Sequence, residues 1–256
     1  GSYESGWFRE NVISAKIILP DGRVKEFEGD DLDYISDTEG ITGIISSVTI
    51  KVQPLEDLGV IAVAVEETIG VQNLAEAVIE ADLPLWSFIF INPQMADYKN
   101  ISPLREHLGH TVEERVELPS TFVATLTYRI KDESTINEKL DSILKSVKGV
   151  KLDDHIAQHE WENRFKVMQV KRLGPSLVPA EIVLPLETVS AAMDEMKSKI
   201  VQPVVKEGII VRDKKGGKPQ VVILGFIPSD QRKFNYHFIF SLSLSITKIA
   251  EKHGGR

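Results

Sequence analysis

No cysteine occurs anywhere in the 256 residues. That excludes disulfides, thiolate metal sites and a cysteine-ligated iron–sulfur cluster on this chain. No apolar run reaches the length of a membrane-spanning helix, and no signal peptide opens the sequence, so a cytoplasmic location is the default expectation. Basic residues are outnumbered, 30 Lys and Arg against 38 Asp and Glu, for a net charge of −8. This balance argues against nucleic acid or an anionic membrane as the main partner. No Ser-His-Asp set stands out, nor any pair of carboxylates with a clear division of labour. A glycine-rich phosphate cradle is wanting too. The one cluster, Lys214-Lys215-Gly216-Gly217-Lys218, lies between two apolar runs and reads as a hairpin turn.

What is present is the composition of an ordinary globular protein, long enough for one large domain or two small ones. The chain is organised around residues 31–52. A polar, acidic turn leads to Glu39-Gly40, and Gly43 opens the β-branched run Ile44-Ile45-Ser46-Ser47-Val48-Thr49-Ile50. Glycine takes φ > 0 cheaply and lets a backbone approach a ligand. Two glycines three apart before a strand therefore suit either a plain turn or backbone N–H groups turned toward a bound molecule. Upstream, the apolar run 13–19, the turn Pro20-Asp21-Gly22 and the segment Arg23 to Phe27 predict a β-hairpin.

Together these segments resemble FAD-linked oxidases of the D-lactate dehydrogenase and glycolate oxidase type. The family's flavin domain carries an Asn-Val and a strand ending Leu-Pro-Asp-Gly. It closes on acidic-Leu followed by Ser-Glu-Gly-Thr-Leu-Gly-Ile-Ile-Thr. Here the counterparts are Asn11-Val12, Leu19-Pro20-Asp21-Gly22, Asp31-Leu32 and Asp37-Thr38-Glu39-Gly40-Ile41-Thr42-Gly43-Ile44-Ile45-Ser46. Residues 9–53 thus match in order and spacing. Ile41-Thr42 replaces the family's Thr-Leu, which puts side-chain contacts from that pair in doubt but not backbone contacts. The resemblance implies that Glu39, Gly40, Gly43, Ile44 and Ile45 lie against FAD. Glu39 is read against a ribose hydroxyl or the local backbone, because a carboxylate repels a diphosphate. In the family a much longer segment precedes this hairpin and supplies the pyrophosphate loop. The chain therefore looks like the carboxyl-terminal part of a flavoenzyme, its other half removed by truncation or carried on a partner chain.

Residues 1–55 are accordingly read as the end of an FAD-binding domain and 56–256 as a substrate-capping domain. From Val60 the periods alternate: strand 60–65, helix 71–81, strand 86–91 closed by Asn92-Pro93, an irregular stretch 94–119, strand 122–130, helix 134–147 capped by Ser134, and strand 150–156. Within the irregular stretch, a short helix near 103–108 and a strand near 111–116 are expected. The order β-α-β-β-α-β predicts an α+β fold with a ferredoxin-like antiparallel sheet and helices on one face. A second set follows: a helix from about Gln158 to Val170, strand 181–184, helix 186–200, and strands 208–211 and 221–226. The run after Asp230 fits both a strand and a helical face, and a long helix is favoured.

Candidate side chains are few. His155 and His159 stand four apart, a spacing that metals use, but no third ligand is evident beyond Asp153, Asp154 or Glu160, and a structural or solvated role is favoured. Trp161-Glu162-Asn163-Arg164 is similar to the family's Trp-x-x-Arg, which makes Arg164 either a fork for a substrate carboxylate or a surface ion-pair partner of Glu160 or Glu162. Many family members carry a His-x-Gly-Asp-Gly-Asn-x-His metal and substrate motif. Only Asn235-Tyr236-His237 echoes it, so His237 is a candidate substrate ligand or a packed histidine, and no metal is expected. The resemblance implies a 2-hydroxy-acid substrate and a separate electron acceptor, such as an iron–sulfur subunit. The competing expectation is a non-catalytic ferredoxin-like module that docks an electron-transfer partner.

Overall fold

A computed structural model describes residues 2–36, 38, 40–103, 115–174, 176–213 and 216–256. The expected hairpin forms. Strand β1 (Val12–Ile18) pairs antiparallel with β2 (Val24–Glu28), and Gly22 closes the turn at φ 84°. On the other side of β1 lies β3 (Ile44–Ile50), giving a three-stranded sheet in the order β2-β1-β3. Ala15, Ile17, Phe27 and Leu32 form its small core. All of β3 is exposed, including Ile44, Ile45, Val48 and Ile50, and its outer edge pairs with no described strand.

Residues 51–57 then run without regular structure into β4 (Leu58–Val65). Arg129 ties this link down. Its guanidinium binds Glu56, donates to Glu4 at 2.8 Å and to Gln53 at 3.0 Å, and so joins the amino-terminal segment, the link and the large sheet.

The large unit follows as α1 (Thr68–Glu80), β5 (Leu85–Ile91), α2 (Pro93–Ile101), β6 (Phe122–Arg129), α3 (Glu133–Val147), β7 (Val150–Lys151), α4 (Asp154–Glu162), β8 (Ser176–Pro185), α5 (Val189–Lys199), β9 (Val205–Val211), β10 (Gln220–Ser229) and α6 (Tyr236–Lys252). Seven strands form one antiparallel sheet in the order β7-β4-β6-β5-β9-β10-β8. The first four strands have the ferredoxin-like order, and β8-α5-β9-β10-α6 repeats most of the same unit. The α+β class is as expected, and the two units fuse across β5 and β9. Their pairing there is short, Ile89–Ile209, Phe90–Gly208 and Ile91–Glu207. Glycine is required at 208, since a Cβ would sit 2.1 Å from the Phe90 ring.

Helices cover both faces, which departs from the one-sided arrangement. The apolar stripes of α1, α3, α5 and α6 build the main core with Phe88, Phe90, Leu126 and Ile182. The reverse face carries α2 and α4, with Met95, Ala96 and Ala157 packed on Ile91, Val123 and Val205. Helix α2 falls in the stretch expected to be irregular. Asn92-Pro93 ends β5 but also begins the helix: the Asn92 side chain accepts from Met95 N at 3.0 Å, and Pro93 sits in the first turn, where its missing N–H costs nothing.

Other boundaries moved as well. Ser134 lies inside α3, and its cap position is Asp132, which makes no side-chain cap. The strand expected at 150–156 is two residues long, and the helix expected from Gln158 begins at Asp154 and ends at Glu162. Strand β8 starts at Ser176 and carries Pro179, which an edge strand tolerates. The ambiguous run after Asp230 is the helix α6. The short helix and strand expected near 103–116 lie almost wholly outside the described residues.

Candidate functional site

The glycine turn is the first candidate. Glu39 lies outside the described residues. Gly40 takes φ 83°, and a Cβ there would meet nothing within 4 Å, so a ligand has room to approach its backbone. Gly43 (φ 145°) is committed to the fold itself: a Cβ would stand 2.6 Å from Ile17 Cγ2 and 2.7 Å from the Ile18 carbonyl. The turn is closed from within, with Ile41 N donating to Thr38 O at 2.9 Å and Gly43 N to Gly40 O at 3.4 Å, while the Thr38 and Thr42 hydroxyls lie 3.1 Å apart. Ile44 and Ile45 continue into β3 as exposed apolar side chains. Ile45 also lines a cleft of about 690 Å³ between the two sheets, opposite Glu181, Val222 and Arg256.

The second candidate lies on the reverse face of the large sheet. Lys99 comes from α2, Glu160 and Trp161 from α4, Arg164 from the turn after it, Thr125 from β6 and Glu207 from β9. They enclose a cavity of about 20 Å³, room for one water. Lys99 and Glu160 form an ion pair with only 10% and 5% of their side chains exposed, and His159 Nδ1 lies 3.2 Å from the second Glu160 oxygen. Burial works to raise the Glu160 carboxyl, but the His159 hydrogen bond and the Lys99 charge outweigh it and hold it below the usual range. The Glu207 carboxyl has no hydrogen-bond partner among the described residues. Burial pushes it up to about 7; Lys99 opposes the shift and the Glu160 charge adds to it.

Arg164 pairs with neither Glu160 nor Glu162. Its guanidinium stacks 3.7 Å from the Trp161 ring centroid and 4.5 Å from that of Phe165, and Nη1 donates to Trp161 O at 2.6 Å. Nε is buried without a partner, and burial alone lowers the group's affinity for its proton. A buried guanidinium edge without an anion suits an incoming carboxylate. His237 is not brought to this place. It stands exposed in the first turn of α6, which packs on the opposite face of the sheet, so it is neither packed nor beside Arg164. His155 and His159 gain no further ligand: among the described residues no three His, Asp or Glu side chains are arranged to hold a metal.

Lys99 and Glu207 were not singled out in the sequence. The available signal was Lys206-Glu207 inside the apolar run Val204 to Val211, where charge has no solvent-facing reason to sit.

The two sheets, with helices on both sides of the larger one, define a known α+β architecture. No protein-family model matches the sequence, and no curated protein does. Solved structures do share the fold. Alkyldihydroxyacetonephosphate synthase superposes with a TM-score of 0.67 at 11% identity, over 99% of this chain and 50% of that one. p-Cresol methylhydroxylase with substrate bound superposes with a TM-score of 0.69 at 12% identity, over 98% of this chain and 58% of that one. The chain therefore spans between half and three-fifths of the length of these structures. No helix among the described residues is long and apolar enough to cross a membrane.

Proposed function

We propose that the chain is the carboxyl-terminal part of an FAD-linked oxidoreductase, with residues 1–55 completing the flavin-binding domain and 56–256 capping the substrate. The observation that carries this reading is the match of residues 9–53 to the flavin-domain ending, set in a fold shared with p-cresol methylhydroxylase and alkyldihydroxyacetonephosphate synthase. The shared fold supports the same cofactor by resemblance. Gly40, with open space over its backbone, and the exposed Ile44 and Ile45 fit a flavin laid against the main chain. Glu39 and Gly43 belong to the same turn, Gly43 by holding it against β1. The bare apolar face and open edge of β3 suit the remaining half of the flavin domain.

FAD bound there would supply the two-electron acceptor. The chain's own residues would handle charge and protons. Arg164 takes the carboxylate of a 2-hydroxy acid, and Glu207, poised near neutral pH, takes the hydroxyl proton. The cavity has room for one water only, so on this reading the substrate would sit at its rim. The redox partner on this reading would be a separate electron acceptor, such as an iron–sulfur subunit, in the cytoplasm. The two named neighbours act on other compounds, so the hydroxy-acid assignment rests on the resemblance of residues 9–53 and on Arg164.

The test is an absorption spectrum of this chain mixed with FAD and then gel-filtered, beside the same spectrum of a longer chain carrying the rest of the flavin domain. The longer chain should be yellow and should oxidise lactate or glycolate with a dye acceptor, and Arg164→Met should raise its KM. A colourless, inactive longer chain refutes the reading.

A further inference from the structure

Lys206 sits beside Glu207 in β9 but on the other side of the sheet, and the flavin reading uses neither it nor its surroundings. It lines a cavity of about 690 Å³ at the end of the sheet, walled by Phe122, Met193, Met196, Ile200 and Val204. The residue is 6% exposed, and no described side chain bonds or ion-pairs with its ammonium. Its backbone, by contrast, is fully engaged with Asn92: Lys206 N donates to Oδ1 at 2.8 Å, and Lys206 O accepts from Asn92 N at 3.1 Å.

The charges around it divide into interior and rim. Lys197 of α5 also lines the cavity and is the one charged side chain among the described residues that acts on Lys206; no described carboxylate raises its proton affinity. Asp194 of α5 lines the cavity but accepts the Thr68 hydroxyl at 2.8 Å. Glu66 and Glu67 stand exposed at the mouth. The first turns of α1 and α2 both open onto the cavity, Thr68 and Ile69 from one and Pro93 and Gln94 from the other, and helix amino ends favour negative charge.

We propose that this cavity binds a small organic monocarboxylate, its head group on the Lys206 ammonium and its apolar body against Phe122, Met193, Met196 and Ile200. A buried cation without a counterion is costly, and an anion that fills the space removes the cost. The apolar walls favour a hydrocarbon body. At the rim the carboxylates of Glu66, Glu67 and Asp194 outnumber the Lys197 ammonium and disfavour a second negative charge, so a monoanion is preferred over a dianion. The binding needs neither flavin nor the rest of the flavin domain.

Calorimetric titration of the 256-residue chain with hexanoate tests this, with hexan-1-ol and adipate as comparisons. Hexanoate should bind, hexan-1-ol and adipate at least about tenfold more weakly, a difference of about 1.4 kcal/mol. Burial lowers Lys206 to about 8. Hexanoate affinity should therefore fall by about tenfold per pH unit above that value, because the anion must then recruit a proton. Lys206→Met should abolish hexanoate binding and Lys206→Arg should keep it. Met193→Trp, which fills the cavity with Lys206 intact, should also abolish it. Absence of hexanoate binding, equal binding of hexan-1-ol, a flat pH profile, or unchanged binding by Lys206→Met would each overturn the proposal.

Discussion

Lys206 and Glu207 are consecutive in β9, stand on opposite faces of one sheet, and are both driven by burial toward their neutral forms, Lys206 to about 8 and Glu207 to about 7. Their effects on stability run in opposite senses with pH. Between about 4.5 and about 7 the folded chain keeps a proton on Glu207 that the unfolded chain has released, so stability falls as pH rises. Between about 8 and about 10.5 the unfolded chain keeps a proton on lysine that the folded chain has lost, so stability rises. At about 1.4 kcal/mol per pKa unit, each penalty is about 3 kcal/mol when fully present. Glu207→Gln should therefore stabilise the chain above about pH 7, and Lys206→Met below about pH 8. Urea midpoints across pH check both. A wild-type stability curve parallel to both variants would contradict the assignment.

The Lys99–Glu160 pair is nearly closed to solvent, so removing one partner strands the other. Lys99→Met should cost about 3–5 kcal/mol, whereas Lys99→Met with Glu160→Leu should recover much of it. A double-mutant cycle by urea denaturation reads the coupling. Additive losses would mean that the two charges do not depend on each other.

The two glycines of the turn should respond differently to alanine. Gly40→Ala meets only the backbone penalty of a positive φ, roughly 1 kcal/mol. Gly43→Ala adds a clash with Ile17 and the Ile18 carbonyl and should cost roughly 1–3 kcal/mol more. Equal unfolding midpoints for the two variants would deny Gly43 its packing role.

At the seam between the two halves of the large sheet, Gly208→Ala should cost about 3 kcal/mol, because its methyl enters the Phe90 ring. Phe90→Leu on the Gly208→Ala background should relieve part of that loss. If the second change only adds to the first, the ring is not what excludes the methyl.

Much of the fold could be read locally. The Asp21-Gly22 hairpin, the strand after Gly43, and helices α1, α3, α5 and α6 follow from turn chemistry and apolar periods, which act between near neighbours in the chain. Asn92-Pro93 misled because the same dipeptide that stops a strand also starts a helix. The four-residue spacing of His155 and His159 was compatible with a metal pair, but the lack of a third ligand favoured a structural role, and His159 does turn to Glu160. Of the proposed substrate ligands, Arg164 owes its prominence to a local motif, while His237 was separated from it by the sheet itself.

The sequence by itself determined the α+β alternation, the absence of disulfides and thiolate sites, and the glycine turn that leads into β3, since each depends on composition or on neighbours a few residues apart. Only the tertiary structure decided which charges are stranded. Lys99 and Glu160 lie 61 positions apart and meet across α2 and α4. Lys206 and Glu207 are adjacent and part to opposite faces. Burial and long-range pairing set the protonation of these groups, and both depend on how sheet and helices close over one another rather than on spacing along the chain.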